Sequence, residues 1–432
     1  LQILNQGLSR NSNAALLFAN RGKVLMRLGR DVDAQRNYEK ALEINPSLAE
    51  VHNNLGNLLK HQGQYSRAIE SFGHAIALRP DNMEAIYNKA LTMAAAGGVE
   101  EADKTLEAAI YERPDPRFFI ARAGLMPVIP KSIADIAAWR QRFEEGFGVL
   151  IEKGVALPGD PLEVSVMNFY LAYHGENDRR VMEKQATFWQ KACPSFCFNA
   201  AHCEQRPELG NNKRRVGLFS RYLRNHAVAF TVEGLVAGLN DDEFELVLIT
   251  LSGGEDDVWD SLTGKAHTVL SLPHDLTIAR QKIESAQLDI LIYADIGMDP
   301  FSYFMAYARL APVQCVLWGH PVTSGLPQMD YYLSNESAEP DDAEKHYTET
   351  LIRLGGVPTC YRRPSAGERV CRSNFGIPED ANVYLCPQSL FKIHPDMDLA
   401  LVKILQGDPA GHLVIFHGSA QIWTDKLIQR WV

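Results

Sequence analysis

The sequence predicts an all-helical repeat array followed by an α/β fold with a parallel sheet. The first observation is a 34-residue period in the N-terminal third, at which small, aromatic and proline residues recur in fixed columns. The second is a change near Arg215 to short apolar runs that alternate with helix-length amphipathic segments. Continuous apolar runs of this kind are typical of parallel strands whose sheet is covered on both faces.

Five columns define the period and predict three repeats, each made of two antiparallel helices. The columns are Gly22 and Gly56; Ala34, Ala68 and Ala102; Tyr38, Phe72 and Leu106; Ala41, Ala75 and Ala109; and Pro46, Pro80 and Pro114. Small residues where two helices cross, a large residue where they interlock and a closing proline resemble the tetratricopeptide repeat. This resemblance implies a superhelical array that binds a polypeptide, because stacked repeats build an extended surface.

The three repeats span residues 15–48, 49–82 and 83–117, and the third departs from the pattern. Ala90 replaces the glycine of the first column, and the run 94–98 replaces the well-formed turn of the first repeat. A degraded repeat marks the junction with a different structure. The following sequence stays helical without the period, and within it residues 133–152 are amphipathic with Ser132 as the predicted cap.

Five apolar runs predict the parallel strands of a Rossmann-like domain. They cover residues 215–220, 245–250, 268–272, 289–295 and 313–318. The loop from Ser220 to His226 lacks a Gly-x-Gly-x-x-Gly pattern, which disfavours dinucleotide binding of the dehydrogenase kind. A second α/β unit is predicted from residue 381, with strands at 383–388 and 412–418 and a helix at 395–405.

These patterns divide the chain into four predicted parts. Residues 1–116 are the tetratricopeptide repeats, 117–210 a helical connector, 211–372 the first Rossmann-like domain and 373–432 the start of a second one. Leu4 lies where an earlier repeat would carry its interlocking residue, and the last helix pattern ends without a stop signal. We therefore expect further chain on both sides of this sequence.

Composition argues against several classes of function. The formal net charge is −10, so general nucleic-acid binding, which needs a basic face, is not expected. The sequence has no run of 18 apolar residues and no signal-peptide pattern at its start, so we expect no membrane association. The seven irregularly spaced cysteines favour a reducing, cytoplasmic location. The cluster Cys193, Cys197, His202 and Cys203 lacks the spacing of a regular zinc module, so no metal site is expected.

Five stretches of the α/β region carry a family resemblance. They are residues 215–226, 311–325, 329–331, 346–351 and 388–393, and they run in one order along the chain. Together with the repeats they resemble the O-linked N-acetylglucosamine transferase family, which includes SPINDLY-type O-fucosyltransferases and bacterial N-glycosyltransferases. The resemblance implies a glycosyltransferase-B arrangement of two Rossmann-like domains, the second incomplete here. It also implies inverting, metal-independent transfer of a sugar from a nucleotide sugar to a polypeptide, without a cofactor.

Two departures from the family pattern leave the sugar and the acceptor open. Gly319-His320-Pro321 stands where the family has Gly-Tyr-Pro, and the loop 295–298 replaces a Gly-Tyr-Thr type loop. Both variants resemble the N-glycosyltransferase branch. The leading expectation is transfer of N-acetylglucosamine from its UDP donor to Ser or Thr. The alternatives are transfer of glucose from UDP-glucose to Asn, and a non-catalytic repeat scaffold that binds protein partners; a homodimer is also left open.

The resemblance implies that Lys392 stabilises the departing diphosphate. Lys392 lies between a predicted strand and the helix that starts after Pro395, where the N–H groups of a helix N-terminus favour phosphate. A surface lysine after a strand is the plain alternative. The other candidates for contact with the sugar donor are Gln388, Ser389, Gly319, Pro321 and Thr323.

Three titratable residues are the candidates for catalysis: His226, Asp295 and His320. Each follows a predicted strand at its carboxyl end, where open parallel sheets bind ligands. His226 either accepts or relays the acceptor's proton, or it only satisfies backbone groups in a tight loop. Asp295 either acts as a base or orients a histidine, or it caps a helix predicted at residues 301–310, or it is a turn residue with Asp299-Pro300. The sequence leaves these alternatives open for both residues.

Overall fold

The chain folds into two compact units in the computed structural model. One unit comprises residues 1–141 and 372–432, and the other comprises residues 142–371. The structure describes residues 1–11, 13–164, 167, 169–204, 213–251, 256–356, 359, 361, 367, 370–418 and 420–431. Within those ranges, no helix combines the length and the apolar character that a membrane crossing requires. The four domain boundaries predicted from the sequence stay a prediction.

The helices and strands are numbered in chain order. The helices are α1 (Gln2–Arg10), α2 (Ala15–Arg27), α3 (Asp31–Ile44), α4 (Ala49–His61), α5 (Tyr65–Leu78), α6 (Met83–Ala95), α7 (Val99–Glu112), α8 (Pro116–Ala123), α9 (Ile133–Glu152), α10 (Arg179–Ala192), α11 (Ala227–Gly238), α12 (Asp257–Thr263), α13 (Leu276–Ser285), α14 (Pro300–Met305), α15 (Pro395–Gly407) and α16 (Gln421–Trp431). The strands are β1 (Arg214–Phe219), β2 (Phe244–Thr250), β3 (Thr268–Ser271), β4 (Ile290–Tyr293), β5 (Val313–Leu317), β6 (Tyr331–Asn335), β7 (Thr350–Leu354), β8 (Asn382–Cys386) and β9 (Gly411–Ile415).

The three predicted repeats are confirmed as the helix pairs α2–α3, α4–α5 and α6–α7. A methyl group on Gly22 would lie 2.7 Å from the Tyr38 ring, and one on Gly56 would lie 2.6 Å from the Phe72 ring. The two glycines therefore let an aromatic ring lie directly on the neighbouring helix. In the third repeat, Ala90 and Leu106 are both fully buried at the same positions. The smaller Leu leaves room for the Ala methyl group, so the departure from the pattern keeps the packing.

The first unit also contains the predicted second α/β segment. Strands β8 and β9 pair in parallel, from Asn382 opposite Gly411 to Cys386 opposite Ile415. Helix α15 lies between them in the chain, as predicted.

The connector helix α9 has the predicted bounds, and the Ser132 hydroxyl accepts from the Asp135 N–H at 3.1 Å, as expected of a cap.

The second unit is built on a seven-stranded parallel sheet with the strand order β3-β2-β1-β4-β5-β6-β7. The five predicted strands are confirmed, and β6 and β7 were missed. Strand β6 ends in Ser334 and Asn335 and β7 contains Arg353, so neither is a continuous apolar run. The chain leaves β3 at one edge and returns beside β1 as β4. The strand order therefore reverses between β1 and β4, which is where open parallel sheets form a ligand crevice.

Candidate functional site

The sheet brings the three predicted catalytic candidates to the same edge. His226 follows β1, Asp295 follows β4 and His320 follows β5, and these three strands are neighbours in the order β1-β4-β5. Parallel strands present all their carboxyl ends at one edge. His226 and Asp295 thus flank the point where the strand order reverses. Whether these residues take part in catalysis stays a prediction.

Asp295 is a fully buried carboxylate that is held on one oxygen only. Its Oδ2 accepts from the Arg221 N–H at 2.9 Å and from the Ser220 hydroxyl at 3.1 Å. Its Oδ1 is also buried and has no hydrogen-bond partner. Burial raises the pKa of Asp295 to about 7; the nearby Asp299 carboxylate also raises it, while the bond from Arg221 lowers it. Asp295 therefore titrates close to neutral pH.

Asp299, and not Asp295, caps the helix that follows the β4 loop. Asp299 Oδ1 accepts from the N–H groups of Phe301 at 2.9 Å and of Ser302 at 3.3 Å, at the start of α14. Its Oδ2 pairs with the Arg221 guanidinium. The alternative of Asp295 as a helix cap is therefore wrong, and α14 ends at Met305, before the predicted end at residue 310. The Met298 N–H donates to the Asp295 carbonyl at 3.0 Å, so Asp295 begins a turn. Arg221 bonds to both carboxylates, and sequence reasoning missed it because its partners lie more than 70 residues away along the chain.

His226 is the N-cap of α11. Its Nδ1 accepts from the Val228 N–H at 3.2 Å, and its ring stacks on Tyr222 with the centroids 4.3 Å apart. Burial, and then the Arg224 guanidinium, lower the pKa of His226, so the neutral ring dominates at pH 7. A neutral imidazole whose Nδ1 accepts a hydrogen bond carries its proton on Nε2. His226 in this geometry presents a hydrogen-bond donor, and it accepts a proton only if the cap breaks.

His320 is held in a buried position by its neighbours. Its ring stacks on Phe169 with the centroids 5.3 Å apart, and burial lowers the pKa of His320 to about 4. Gly297 has a φ of +95°, and a methyl group there would lie 2.3 Å from the His320 ring. The buried His320 Nδ1 has no hydrogen-bond partner. His320 is therefore neutral near pH 7, with one ring nitrogen unpaired.

A narrow pocket lies beside His320. Its cavity volume is about 10 Å³, which holds about one water molecule and is far smaller than a sugar. The polar residues that line it are Gln185, Tyr303, His320 and Thr323, and the others are Met167, Met182, Ile296, Gly297 and Val322. This pocket suits a bridging water between buried polar groups, and a sugar does not fit in it.

The predicted sugar loop is tied to a buried acid, Glu349. The Thr323 hydroxyl donates to Glu349 Oε2 at 2.6 Å, and Ser324 donates to Oε1 from both its N–H, at 2.8 Å, and its hydroxyl. Gly319 lies so close to β4 that a methyl group there would be 1.9 Å from the Ala294 carbonyl oxygen. Pro321 is exposed. The Thr348 N–H donates to the Thr323 hydroxyl at 3.0 Å, and the hydroxyls of Thr323 and Thr348 are 2.9 Å apart. The Thr323 hydroxyl is therefore engaged by Glu349 and Thr348 in this structure.

The other three donor-binding candidates belong to the first unit. Gln388, Ser389 and Lys392 are exposed, and Lys392 ends a short 3₁₀ turn in which its N–H donates to the Ser389 carbonyl at 2.9 Å. His394 caps α15 by accepting from the Asp396 N–H at 3.2 Å. Lys392 therefore precedes the N-terminus of α15, as the sequence predicts. Its contact with a diphosphate stays a prediction.

No group of three or more His, Cys, Asp or Glu side chains has the geometry of a metal site among the residues that the structure describes. Cys193, Cys197 and Cys203 are free cysteines. His202 Nε2–H donates to the Leu288 carbonyl at 3.2 Å.

Comparison with known proteins finds similarity to tetratricopeptide repeats and to protein glycosyltransferases. Models of the tetratricopeptide repeat match residues 12–81 and 59–125. The chain is 25% identical over 216 residues to the probable UDP-N-acetylglucosamine–peptide N-acetylglucosaminyltransferase SEC of Arabidopsis thaliana, which is 47% of this chain and 22% of that protein. The probable UDP-N-acetylglucosamine–peptide N-acetylglucosaminyltransferase SPINDLY of Solanum lycopersicum is 34% identical over 111 residues, 25% of this chain and 11% of that protein. The chain is thus similar, over part of its length, to proteins of the O-linked N-acetylglucosamine transferase family.

One solved structure and one bacterial protein are also similar to this chain. A mutant of the Thermobaculum terrenum O-GlcNAc transferase has the same fold, with a TM-score of 0.67 and 19% identity over 98% of this chain and 72% of that one. The UDP-glucose:protein N-beta-glucosyltransferase of Actinobacillus pleuropneumoniae is 28% identical over 170 residues, 38% of this chain and 26% of that protein. The chain spans about a quarter or less of the length of these curated relatives.

Proposed function

We propose that this protein is an inverting, metal-independent protein glycosyltransferase of the cytoplasm that transfers N-acetylglucosamine from UDP-N-acetylglucosamine to Ser or Thr side chains. The observation that carries the proposal is Asp295, a carboxylate with a pKa of about 7 at the reversal of strand order. A base that titrates near the working pH is suited to proton removal. The named activities of the relatives support the same reaction.

Asp295 is the proposed final acceptor of the proton. In the reaction the acceptor oxygen attacks the anomeric carbon, the bond from that carbon to the diphosphate oxygen breaks, and the diphosphate leaves with the electron pair. Asp295 is fully buried, so the acceptor's proton reaches it through a bridging water and not by direct contact. The unpartnered Oδ1 is the atom that would take it.

His226 is proposed as a hydrogen-bond donor at the site, because its capping bond places the ring proton on Nε2. A donor at the carboxyl end of β1 suits an oxygen that carries partial negative charge, such as one of the leaving diphosphate or of the acceptor. This role keeps the cap of α11 intact through the reaction. It replaces the alternative of His226 as the base.

Lys392 is proposed to stabilise the leaving diphosphate, because it is an exposed cation that immediately precedes the N-terminus of α15. A helix N-terminus adds oriented N–H groups to the charge of the lysine. Asp396 and Asp398 in the first turn of α15 oppose an anion there. The buried Arg430 guanidinium pairs with Asp398, which neutralises one of these two charges.

The test is sugar transfer by the full-length protein. Wild-type protein with UDP-N-acetylglucosamine labelled in the sugar is expected to label polypeptides of a cell lysate. Lys392→Ala is expected to lower the rate by about 100-fold or more, the usual cost of losing a group that stabilises developing charge. Lys403→Ala, an exposed lysine of the same helix α15, is the matched control and is expected to keep the wild-type rate. Absence of labelling by the wild type, or equal rates for Lys392→Ala and the control, would contradict the proposal.

A second candidate is N-glucosyl transfer to Asn from UDP-glucose, favoured by His320 in place of the family tyrosine and by the Actinobacillus relative. Side-by-side assays with the two UDP-sugars identify the donor. Mild alkali then separates the linkages, because β-elimination releases O-linked sugars and leaves N-linked ones attached. Alkali-stable label from UDP-glucose would select the second candidate.

A further inference from the structure

Helix α16 contacts both the third repeat and the turn that carries Lys392. Trp423 of α16 is 6% exposed, and its indole N–H donates to the Ala95 carbonyl at 2.9 Å, at the end of α6. The edge of the same ring faces Phe391, with the centroids 6.2 Å apart and the planes at 85°. Phe391 immediately precedes Lys392. One buried side chain therefore links a repeat to the candidate phosphate-binding turn.

Arg430 makes a second link at the other end of α16. Its side chain is 5% exposed, and its guanidinium donates to the Pro130 carbonyl at 3.1 Å and to the Ile393 carbonyl at 2.8 Å. Ile393 immediately follows Lys392. The guanidinium also pairs with Asp398 of α15, at 2.7 Å from Nε to Oδ2. Pro130 lies in the segment after the repeats, so Arg430 again connects that segment to the Lys392 turn.

These two links favour one position of the turn. A buried guanidinium N–H that loses its carbonyl acceptor is left unsatisfied away from water, which is unfavourable. Trp431 donates its indole N–H to the Asp398 carboxylate at 2.7 Å, which restrains the partner of Arg430 as well. The exposed face of the turn, with Gln388, Ser389 and Lys392, is thus supported from its buried side by Leu390, Ile393 and α16.

We propose that α16 fixes the Lys392 turn to the third repeat, and that Trp423 and Arg430 are positioning residues for binding of the nucleotide sugar. This inference rests on the proposed function, because Lys392 is the proposed diphosphate contact. Its consequence is coupling between two ligands. A polypeptide that shifts the Ala95 end of the third repeat also shifts the Lys392 turn, so acceptor binding alters donor affinity, and the reverse holds by linkage.

The test uses Trp423→Phe and Arg430→Lys in the full-length protein, and the readouts are the donor KM and kcat, the Kd for UDP, and the melting temperature. Phenylalanine keeps a ring against Phe391 but removes the N–H donor, and lysine keeps the charge but not the fork of donors. For Trp423→Phe, which loses one neutral hydrogen bond, we expect the donor KM and the UDP Kd to rise about 3-fold. For Arg430→Lys, which loses several charge-assisted hydrogen bonds, we expect both values to rise about 10-fold or more. The kcat at saturating donor is expected to fall as well, but by less than in Lys392→Ala, because both variants keep Lys392 and lose only its positioning. Arg36→Lys, an exposed arginine of α3, is the control and is expected to change none of these values.

Hydrogen exchange of the peptide that covers residues 388–394 tests the same link without any donor. Faster exchange in both variants than in the wild type and in Arg36→Lys supports the proposal. The proposal is overturned if both variants show the exchange rate and the UDP Kd of the wild type. This holds even if their melting temperatures fall, because a helix with a purely structural role would lower the melting temperature and leave the turn and UDP binding unchanged. A wild-type protein that binds neither UDP nor UDP-N-acetylglucosamine refutes the proposed function, and the exchange data then decide the positioning of the turn separately.

Discussion

Asp295 and His226 show how local contacts decide the chemistry that a side chain offers. Both residues follow neighbouring parallel strands, and from the sequence both are candidates for acid–base catalysis. Burial raises the pKa of the Asp295 carboxyl to about 7, whereas a backbone N–H occupies the Nδ1 of His226. The carboxylate thus becomes the better base of the two, and the imidazole becomes a donor.

Stability should depend on pH through Asp295. Its folded-state pKa of about 7 lies above the ordinary value of 3.8, so the folded state binds the proton more tightly than the unfolded chain does. The free energy of unfolding is therefore expected to fall as the pH rises through this window, by at most ~1.4 kcal/mol per pH unit. Asp295→Asn cannot ionise and should lack this loss. Urea unfolding at pH 5 and pH 7.5 measures the difference, with Asp241→Asn, an exposed carboxylate, as the control. Parallel pH profiles for Asp295→Asn and the wild type would exclude the raised pKa.

Two substitutions of His226 separate its capping role from its role at the site. Asparagine is a good N-cap and alanine is a poor one, so His226→Ala is expected to lower the free energy of unfolding by about 1 kcal/mol and His226→Asn by a few tenths at most. Both variants should lose sugar transfer, because neither carries the ring Nε2–H. Thermal unfolding and initial rates provide the two measurements. Full activity in the stable His226→Asn variant would show that His226 only caps α11.

In each repeat, a small residue of the first helix and a large residue of the second helix occupy positions that recur at the 34-residue period. A glycine opposite an aromatic ring and an alanine opposite a leucine fill the same space in different repeats. The second repeat carries Gly56 and Phe72, and the third carries Ala90 and Leu106. The interior of the repeat is closely packed, so the larger Ala90 in place of glycine is matched by the smaller Leu106 in place of an aromatic residue.

A double-mutant cycle on Gly56 and Phe72 tests this compensation. Gly56→Ala alone is expected to lower the free energy of unfolding by about 1–3 kcal/mol, because the methyl group meets the Phe72 ring. Phe72→Leu alone should also destabilise, because it leaves a cavity. The double variant reproduces the pair of the third repeat, so we expect it to be more stable than the sum of the single effects by about 1 kcal/mol or more. Gly73→Ala, whose methyl group meets no atom within 4 Å, is the control and should be neutral or stabilising. Additive single effects would rule out the compensation.

The proposed function predicts that the repeats bind the polypeptide acceptor, and one row of side chains in the repeats is suited to this role. An asparagine recurs at the same position of α2, α4 and α6: Asn20, Asn54 and Asn88, at the 34-residue period. None of the three is buried. Amide side chains bind peptide backbone groups without regard to sequence, because each carries both a donor and an acceptor. A row of them suits an extended polypeptide.

Replacing all three asparagines by alanine should therefore weaken binding of the polypeptide acceptor and leave binding of the nucleotide unchanged. We expect the KM for a polypeptide acceptor to rise about 10-fold or more, since each lost hydrogen bond weakens binding, while the Kd for UDP stays at the wild-type value. Gln35→Ala with Gln62→Ala, two amides of the same repeats outside this register, is the matched control. Acceptor titrations and calorimetry with UDP are the measurements. An unchanged acceptor KM would mean that the polypeptide binds elsewhere.

The sequence alone determined the repeats, the strands β1 to β5, α15 and the strand-end positions of His226, Asp295 and His320, because periodicity and apolar runs are local properties of the chain. It missed β6 and β7, whose polar residues interrupt the apolar pattern. The tertiary structure decided which atoms of those residues stay available. The pKa of Asp295, the bonds that tie Thr323 to Glu349 and the support of the Lys392 turn by Arg430 depend on partners far away in the chain. The tautomer of His226 depends on the helix cap that it forms with the nearby Val228 N–H. Burial and long-range hydrogen bonds set proton affinity, and neither can be read from local sequence.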